Sequence, residues 1–173
     1  KYDCIVSTSY SINKDNSMLN CRIEGLNNNK PDLIIIDRYL KLKRKLRLLN
    51  SSTRRNIYIF TFSNNKKKIS FFKKKKIKII NIQKLEDKLD FENLFKRIMK
   101  IGKGRVLIES GLVFLNQLFK YKFINNLYLF KSSKFLRLNG YNNISINFIK
   151  KLKIKNKINV NLDNDELFKV RVK

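Results

Sequence analysis

Short continuous apolar runs, helix-spaced apolar stripes and polar, turn-rich segments divide this chain between them. Runs short enough for buried strands occur at Tyr2–Ser7, Asp32–Asp37, Ile57–Phe62, Ile77–Ile82, Val106–Ile108 and Leu127–Phe130. In DLIIID the core Leu33–Ile36 is unbroken and rich in β-branched residues, as in a strand covered on both faces. Helical spacing is clearest over Asp90–Ile101, where Phe91, Leu94, Phe95, Ile98 and Met99 form a core stripe. Asp90 stands as its N-cap, bases crowd its last turn and Gly102 follows. Thr8–Cys21 is predicted irregular, because its Asn, Asp and Ser residues favour turns. Arg38–Asn50 alternates Leu with base and fits either an exposed strand or a short helix. The basic runs Lys66–Lys68 and Lys73–Lys76 around Ile69–Phe72 read as a solvated hairpin or loop. Towards the end, Ile144–Ile149, Leu152–Val160 and Glu166–Val172 resemble short strands, with a turn at Asn161–Asp165.

The stretch Arg105–Lys120 combines these patterns. Val106–Ile108 is followed by Glu109, Ser110 and Gly111, and then by Leu112, Leu115, Leu118 and Phe119 at helical spacing. That predicts a central strand, a tight turn and a helix. Ligands of open α/β sheets sit at the carboxyl ends of strands, and phosphates sit at helix N-termini. The stretch can therefore hold a phosphate-bearing cofactor, or it can be a plain βα unit whose Ser110 caps the helix. Asp37 closes its own strand in the same way, so Glu109 and Asp37 are expected at one sheet edge, near Asp15 and Arg22. Helices early and in the middle, with strands gathered at the end, predict a mixed α/β sheet.

Composition changes this picture less than its size suggests. Of 173 residues, 40 are Lys or Arg and 13 Asp or Glu, a net charge of +27. Such an excess points to nucleic acid or an anionic surface. Yet Ala, Trp and His are absent, with Gly 5 and Pro 1, while Lys, Asn and Ile crowd every segment. Those three share A- and T-rich codons, so much of the charge reads as nucleotide bias settling on exposed positions, where lysine is tolerated. Nucleic acid is therefore not expected as a partner, although a basic binding module is the rival from another class. Cys4 and Cys21, with no histidine, lack zinc-ligand spacing and read as two reduced thiols. No run approaches the roughly 20 apolar residues of a spanning helix. A cytoplasmic protein of one domain, residues 1–173, without metal or membrane partner, is the expectation.

Three segments in order resemble the reductase domain of the bifunctional riboflavin-biosynthesis deaminase/reductase family. Asp3–Arg22 is similar to its strand, small-residue turn, acid pair, leucine and arginine, here Cys4–Ser7, Ser11, Asp15-Asn16, Leu19 and Arg22. Pro31–Asp37 is similar to its proline-led strand ending in Asp. Val106–Gln117 is similar to its strand–Glu–x–Gly–helix, and Phe123–Phe130 to the segment after it, with Asn125-Asn126 in place of an acid pair.

The resemblance implies a dihydrofolate-reductase-like mixed sheet flanked by helices, NADPH as cofactor, and a homodimer. It implies reduction of 5-amino-6-(5-phosphoribosylamino)uracil to the ribitylamino product. Ser11, Asp15 and Arg38 would contact the cofactor, as would Gly111, Leu112, Val113, Phe114, Leu115, Asn116 and Gln117. Leu19, Arg22 and Glu109 would line the substrate side, with Arg22 suited to its phosphate because guanidinium binds phosphate bidentately. No general acid or base stands out. The deaminase motifs are absent from these residues. The family's first strand and helix are expected to lie before Lys1, so the chain alone is expected to reduce little, and a non-catalytic remnant of the fold is a further reading. Ser7, Thr8 and Ser9 stand where the family has glycines.

Overall fold

Five of the apolar runs form one parallel sheet. Its strands are β1 (Cys4–Thr8), β2 (Asp32–Ile36), β3 (Ile57–Thr61), β4 (Lys78–Asn81) and β5 (Val106–Ile108), in the spatial order β4-β3-β2-β1-β5. The computed structural model describes residues 2–20, 30–52, 54–134, 154, 156–160, 162 and 164–172. Two compact units make up the chain, Lys1–Gly111 and Leu112–Lys173.

In the first unit, Ile5 pairs with Leu33 and Leu33 with Ile57, while Ile35 pairs with Ile59. These residues share one face, and they join Ile12, Leu40, Leu42, Leu48, Phe72 and Ile77 in a single buried cluster. The opposite face carries Val6, Ile34, Ile36 and Phe60, also buried, which explains the unbroken apolar run of β2. Val106–Ile108 is not central as expected. It is the last of the five strands and only half-buried, because it pairs with β1 alone in this sheet.

Parallel neighbours need crossovers, and α-helices supply them everywhere except between β2 and β3. Thr8–Cys21 is not irregular throughout: α1 spans Ser9–Asp15. Thr8 caps it by accepting the Ser11 N–H, Ile12 anchors it in the core, and Asn16 ends it with φ 46°. Side-chain capping and one buried isoleucine outweigh the turn preference of its serines. The basic stretch expected as a hairpin or loop is likewise a helix, α2 (Lys66–Lys74), capped by Asn65. Its Phe72 is fully buried while the flanking lysines face solvent, apart from Lys68, whose ammonium reaches the Leu40 carbonyl at 2.6 Å. The Asp90–Ile101 expectation becomes α3 (Lys88–Lys100). Its cap is Asp87 rather than Asp90, and Met99 is 67% exposed rather than core, since its side of the helix has turned outward. Arg38–Asn50 is neither a strand nor an α-helix. It is an irregular segment whose alternate leucines are buried, ending in a 3₁₀ turn at Arg47–Ser51.

The second unit holds α4 (Leu112–Lys120) and an antiparallel sheet of β6 (Asn126–Lys131), β7 (Asn156–Ile158) and β8 (Glu166–Arg171), ordered β6-β8-β7. Leu129 faces Phe168, and Ile158 faces Leu167. The strand expected at Ile144–Ile149 lies outside the described residues, as do Asn161 and Asp163 of the expected turn. Among the described residues no helix is long and apolar enough to cross a membrane.

Candidate functional site

The strand order fixes where a ligand can enter. From β1 the chain steps outward through β2, β3 and β4; α3 then returns it to the far side of β1 as β5. The strand order therefore reverses at β1, with β2 on one side and β5 on the other, and the carboxyl ends of strands at such a switch point are the usual ligand position in these sheets. A cleft of about 290 Å³ lies there, lined by Ser7 from β1, by residues of α1 and its exit, and by the Glu109-Ser110-Gly111 turn. A larger groove of about 590 Å³ runs along the outer side of α3 between Ile82 and Lys100. It lies beside the outer strand β4, away from the turn between β1 and β5 where the strand order reverses, and its one carboxylate, Asp90, is already spent on the Glu86 N–H, so the smaller cleft is the stronger candidate.

Three short bonds build the cleft. The Glu109 N–H donates to the Val6 carbonyl at 2.9 Å, extending the pairing of β5 with β1 past its last residue. The Ser11 hydroxyl lies 3.1 Å from the Thr8 hydroxyl and accepts the Gly111 N–H at 2.9 Å. A side chain at Gly111 would bring its Cβ to 3.3 Å from that hydroxyl, which is the close approach that glycine permits. One consequence alters the expected chemistry: the Gly111 N–H is engaged inside the protein.

Asp37 sits on the same edge but is closed. It is buried, and its carboxylate accepts the Ser9 hydroxyl, the Lys41 N–H and the Leu42 N–H, each at 2.8 Å. It thereby ties the N-terminus of α1 to the irregular segment after β2. Glu109 and Asp15 are open by contrast. Both are exposed, and neither side chain has a hydrogen-bond or ionic partner among the described residues. Lys14 is the one cation lining the cleft among these residues, and it is likewise unpaired.

Of the residues singled out from sequence, Ser11, Asp15, Leu19, Glu109 and Gly111 come together here. Arg38 does not line the cleft. It is exposed just past β2, its guanidinium 5.5 Å from the centre of the Tyr39 ring. Arg22 lies outside the described residues. Leu112–Gln117 open the second unit as the first turns of α4, where Gln117 Oε1 is buried without a partner among the described residues. Sequence reading missed Ser7, Tyr10, Lys14, Ser17 and Ser110. The signal was available in part: Tyr10, Ser11, Lys14 and Asp15 fall on one side of a helix, away from Ile12, but only once that segment is read as helical. Cys4 lies outside the cleft's lining, and burial pushes its thiol up to about 12, far from thiolate chemistry.

No curated protein matches this chain. Solved structures of similar fold do. RibD from Acinetobacter baumannii matches with a TM-score of 0.73 at 15% identity, over 98% of this chain and 47% of that one. A diaminohydroxyphosphoribosylaminopyrimidine deaminase/5-amino-6-(5-phosphoribosylamino)uracil reductase from Thermotoga maritima matches with a TM-score of 0.70 at 20% identity, over 98% and 45%. A pyrimidine reductase-like protein from Corynebacterium diphtheriae matches with a TM-score of 0.73 at 12% identity, over 98% and 75%. The chain thus spans less than half the length of the first two. At these identities the likeness carries the fold, and it bears out the expected dihydrofolate-reductase-like α/β class. The RibD C-terminal domain family matches residues 1–140, most of the chain. The five-stranded sheet, the cleft beyond β1 and β5 and this match agree: the chain belongs to the family of RibD C-terminal domains.

Proposed function

We propose that this chain is the reductase of riboflavin biosynthesis that uses NADPH to convert 5-amino-6-(5-phosphoribosylamino)uracil to its ribitylamino product. One observation carries the reading. The cleft beyond β1 and β5 gathers Ser11, Asp15, Leu19, Glu109 and Gly111, which the family resemblance assigns to cofactor and substrate.

The donor set fits a hydroxylated, phosphate-bearing ligand. Asp15 and Glu109 offer open carboxylates to sugar hydroxyls, and Ser7, Ser17 and Ser110 add hydroxyl groups. With the Gly111 N–H engaged by Ser11, Lys14 is the cleft's charge for a phosphate. The cleft's volume is near the lower end of the roughly 300–1,000 Å³ of small-molecule sites, room for part of a dinucleotide.

NADPH, when bound, supplies the hydride. The chain's own task is positioning, since reduction of a carbon–nitrogen double bond needs one hydride at carbon and one proton at nitrogen, delivered to a fixed substrate. Glu109 orients the sugar hydroxyls, Leu19 gives the apolar wall, and Arg22 is assigned the substrate phosphate. Asp15 and Lys14 hold the cofactor. The natural protein that carries this chain, incubated with NADPH and the phosphoribosylamino-pyrimidine, tests this through loss of reduced-nicotinamide absorbance. Turnover that depends on the pyrimidine supports the reading. NADPH that binds without turnover makes the chain a non-catalytic remnant, and failure to bind NADPH overturns the assignment of the cleft.

A further inference from the structure

We infer that Arg55, far from the cleft in sequence, is a positioning residue that fixes the cleft's apolar wall. Its side chain is 7% exposed, in a chain whose other cations mostly lie at the surface. One guanidinium nitrogen donates to the Leu19 carbonyl at 2.7 Å and the other to the Met18 carbonyl at 2.6 Å. Both carbonyls belong to the strip Ser17–Leu19, whose Ser17 and Leu19 line the cleft.

The geometry shows why an arginine is needed. Leu19 is held at φ +48°, a left-handed conformation that a leucine does not adopt without compensation. The planar fork fixes two successive peptide units at once, and so sets where the Leu19 side chain and the Ser17 hydroxyl are presented. Burial lowers the guanidinium's pKa, yet arginine keeps its charge in proteins, so both bonds remain charge-assisted. Other ties to this region are exposed: Asn13 bridges the Lys41 carbonyl and the Lys43 N–H, and Asn16 accepts the Arg47 N–H. Arg55 is the buried tie. Its Nε has no partner among the described residues, so both of its hydrogen bonds there go to the wall.

This inference rests on the reductase reading only for its kinetic arm. The test uses the natural protein that carries this chain, with Arg55→Gln or Arg55→Lys. Losing two charge-assisted bonds to the wall should raise the pyrimidine KM about tenfold or more in Arg55→Gln, with kcat within about twofold of the parent. Arg55→Lys should recover part of the loss, because an ammonium can reach one of the two carbonyls. Amide hydrogen exchange should quicken over residues 17–20 in Arg55→Gln while α3 stays protected. A parent-like KM in a folded Arg55→Gln chain, or faster exchange spread equally into α3, overturns the role and leaves Arg55 as general structural support. If the parent shows no turnover, the reductase reading falls, and the local exchange pattern alone decides whether Arg55 holds the wall.

Discussion

The two ends of the parallel sheet treat their carboxylates differently. At the amino-terminal end, Asp3 accepts the N–H groups of Gly104 and Arg105 at 3.0 and 2.8 Å. Asp32 there holds the Lys103 ammonium at 2.7 Å and the Asn56 N–H at 3.0 Å. The Arg105 N–H in particular holds the Asp3 carboxyl below its ordinary range, and the bond to Asp32 raises Lys103 above its own. Each acid of that end is spent on the fold. At the carboxyl-terminal end, Glu109 and Asp15 face the cleft with no such partners among the described residues. An acid that has satisfied its lone pairs contributes to stability; one left open in a cleft is available to a ligand. Asp37 shows that closure matters rather than position, because it shares the functional end but is sealed by three bonds.

The largest expected effect is therefore at Asp37. Asp37→Ala leaves the buried Leu42 N–H and the part-buried Lys41 N–H and Ser9 hydroxyl without acceptors. Unfolding in urea should show a loss of about 3–5 kcal/mol. A loss below about 1 kcal/mol would mean that water reaches those donors, and the contrast between closed and open acids would lose its sharpest case.

Glu109→Gln and Asp15→Asn should behave in the opposite way. Both side chains are exposed, so stability should change by no more than about 0.5 kcal/mol. Function should suffer instead: roughly ten- to hundredfold in kcat/KM, through the pyrimidine for Glu109 and through NADPH for Asp15. Lys14→Gln should weaken NADPH about tenfold, with steeper salt dependence in the parent than in the variant. Steady-state kinetics on both ligands separates these effects. Equal losses for both ligands in every variant would point to a distorted cleft rather than to distinct contacts.

Much of the fold was legible because burial leaves a direct trace in sequence. The unbroken Leu33–Ile36 run became a strand covered on both faces, and Phe91, Leu94 and Ile98 became the buried stripe of α3. What misled was local composition. Serines and asparagines suggested turns where Thr8 in fact caps α1, and lysine runs hid the single buried Phe72 that makes α2 a helix. The place of Val106–Ile108 at the end of its sheet follows from the α3 crossover, a non-local choice that no short pattern encodes. The site was legible where chemistry sits beside a strand end, as at Glu109 and Gly111. It was not legible where a residue acts across the fold: Asp37 sealing α1 through Ser9, or Arg55 reaching Met18 and Leu19.

The smallest effect lies at the closed end, and its pH dependence identifies it. The Lys103 and Asp32 side chains are 19% and 11% exposed, so their pair should be worth more than a surface ion pair and less than a sealed one. Lys103→Met should cost about 1 kcal/mol, with NADPH and pyrimidine constants unchanged. The sign follows from proton binding. Folding raises the Lys103 pKa above its ordinary value of 10.5, chiefly through the Asp32 hydrogen bond, so the native state holds that proton more tightly than the unfolded chain does. The stabilisation is then fully present below pH 10.5 and is lost as pH rises through the raised value in the folded protein. Urea midpoints of parent and variant should differ by a constant amount through the neutral range and converge above that point. A gap that persists undiminished at high pH would show that the lysine's methylenes stabilise this end rather than its charge.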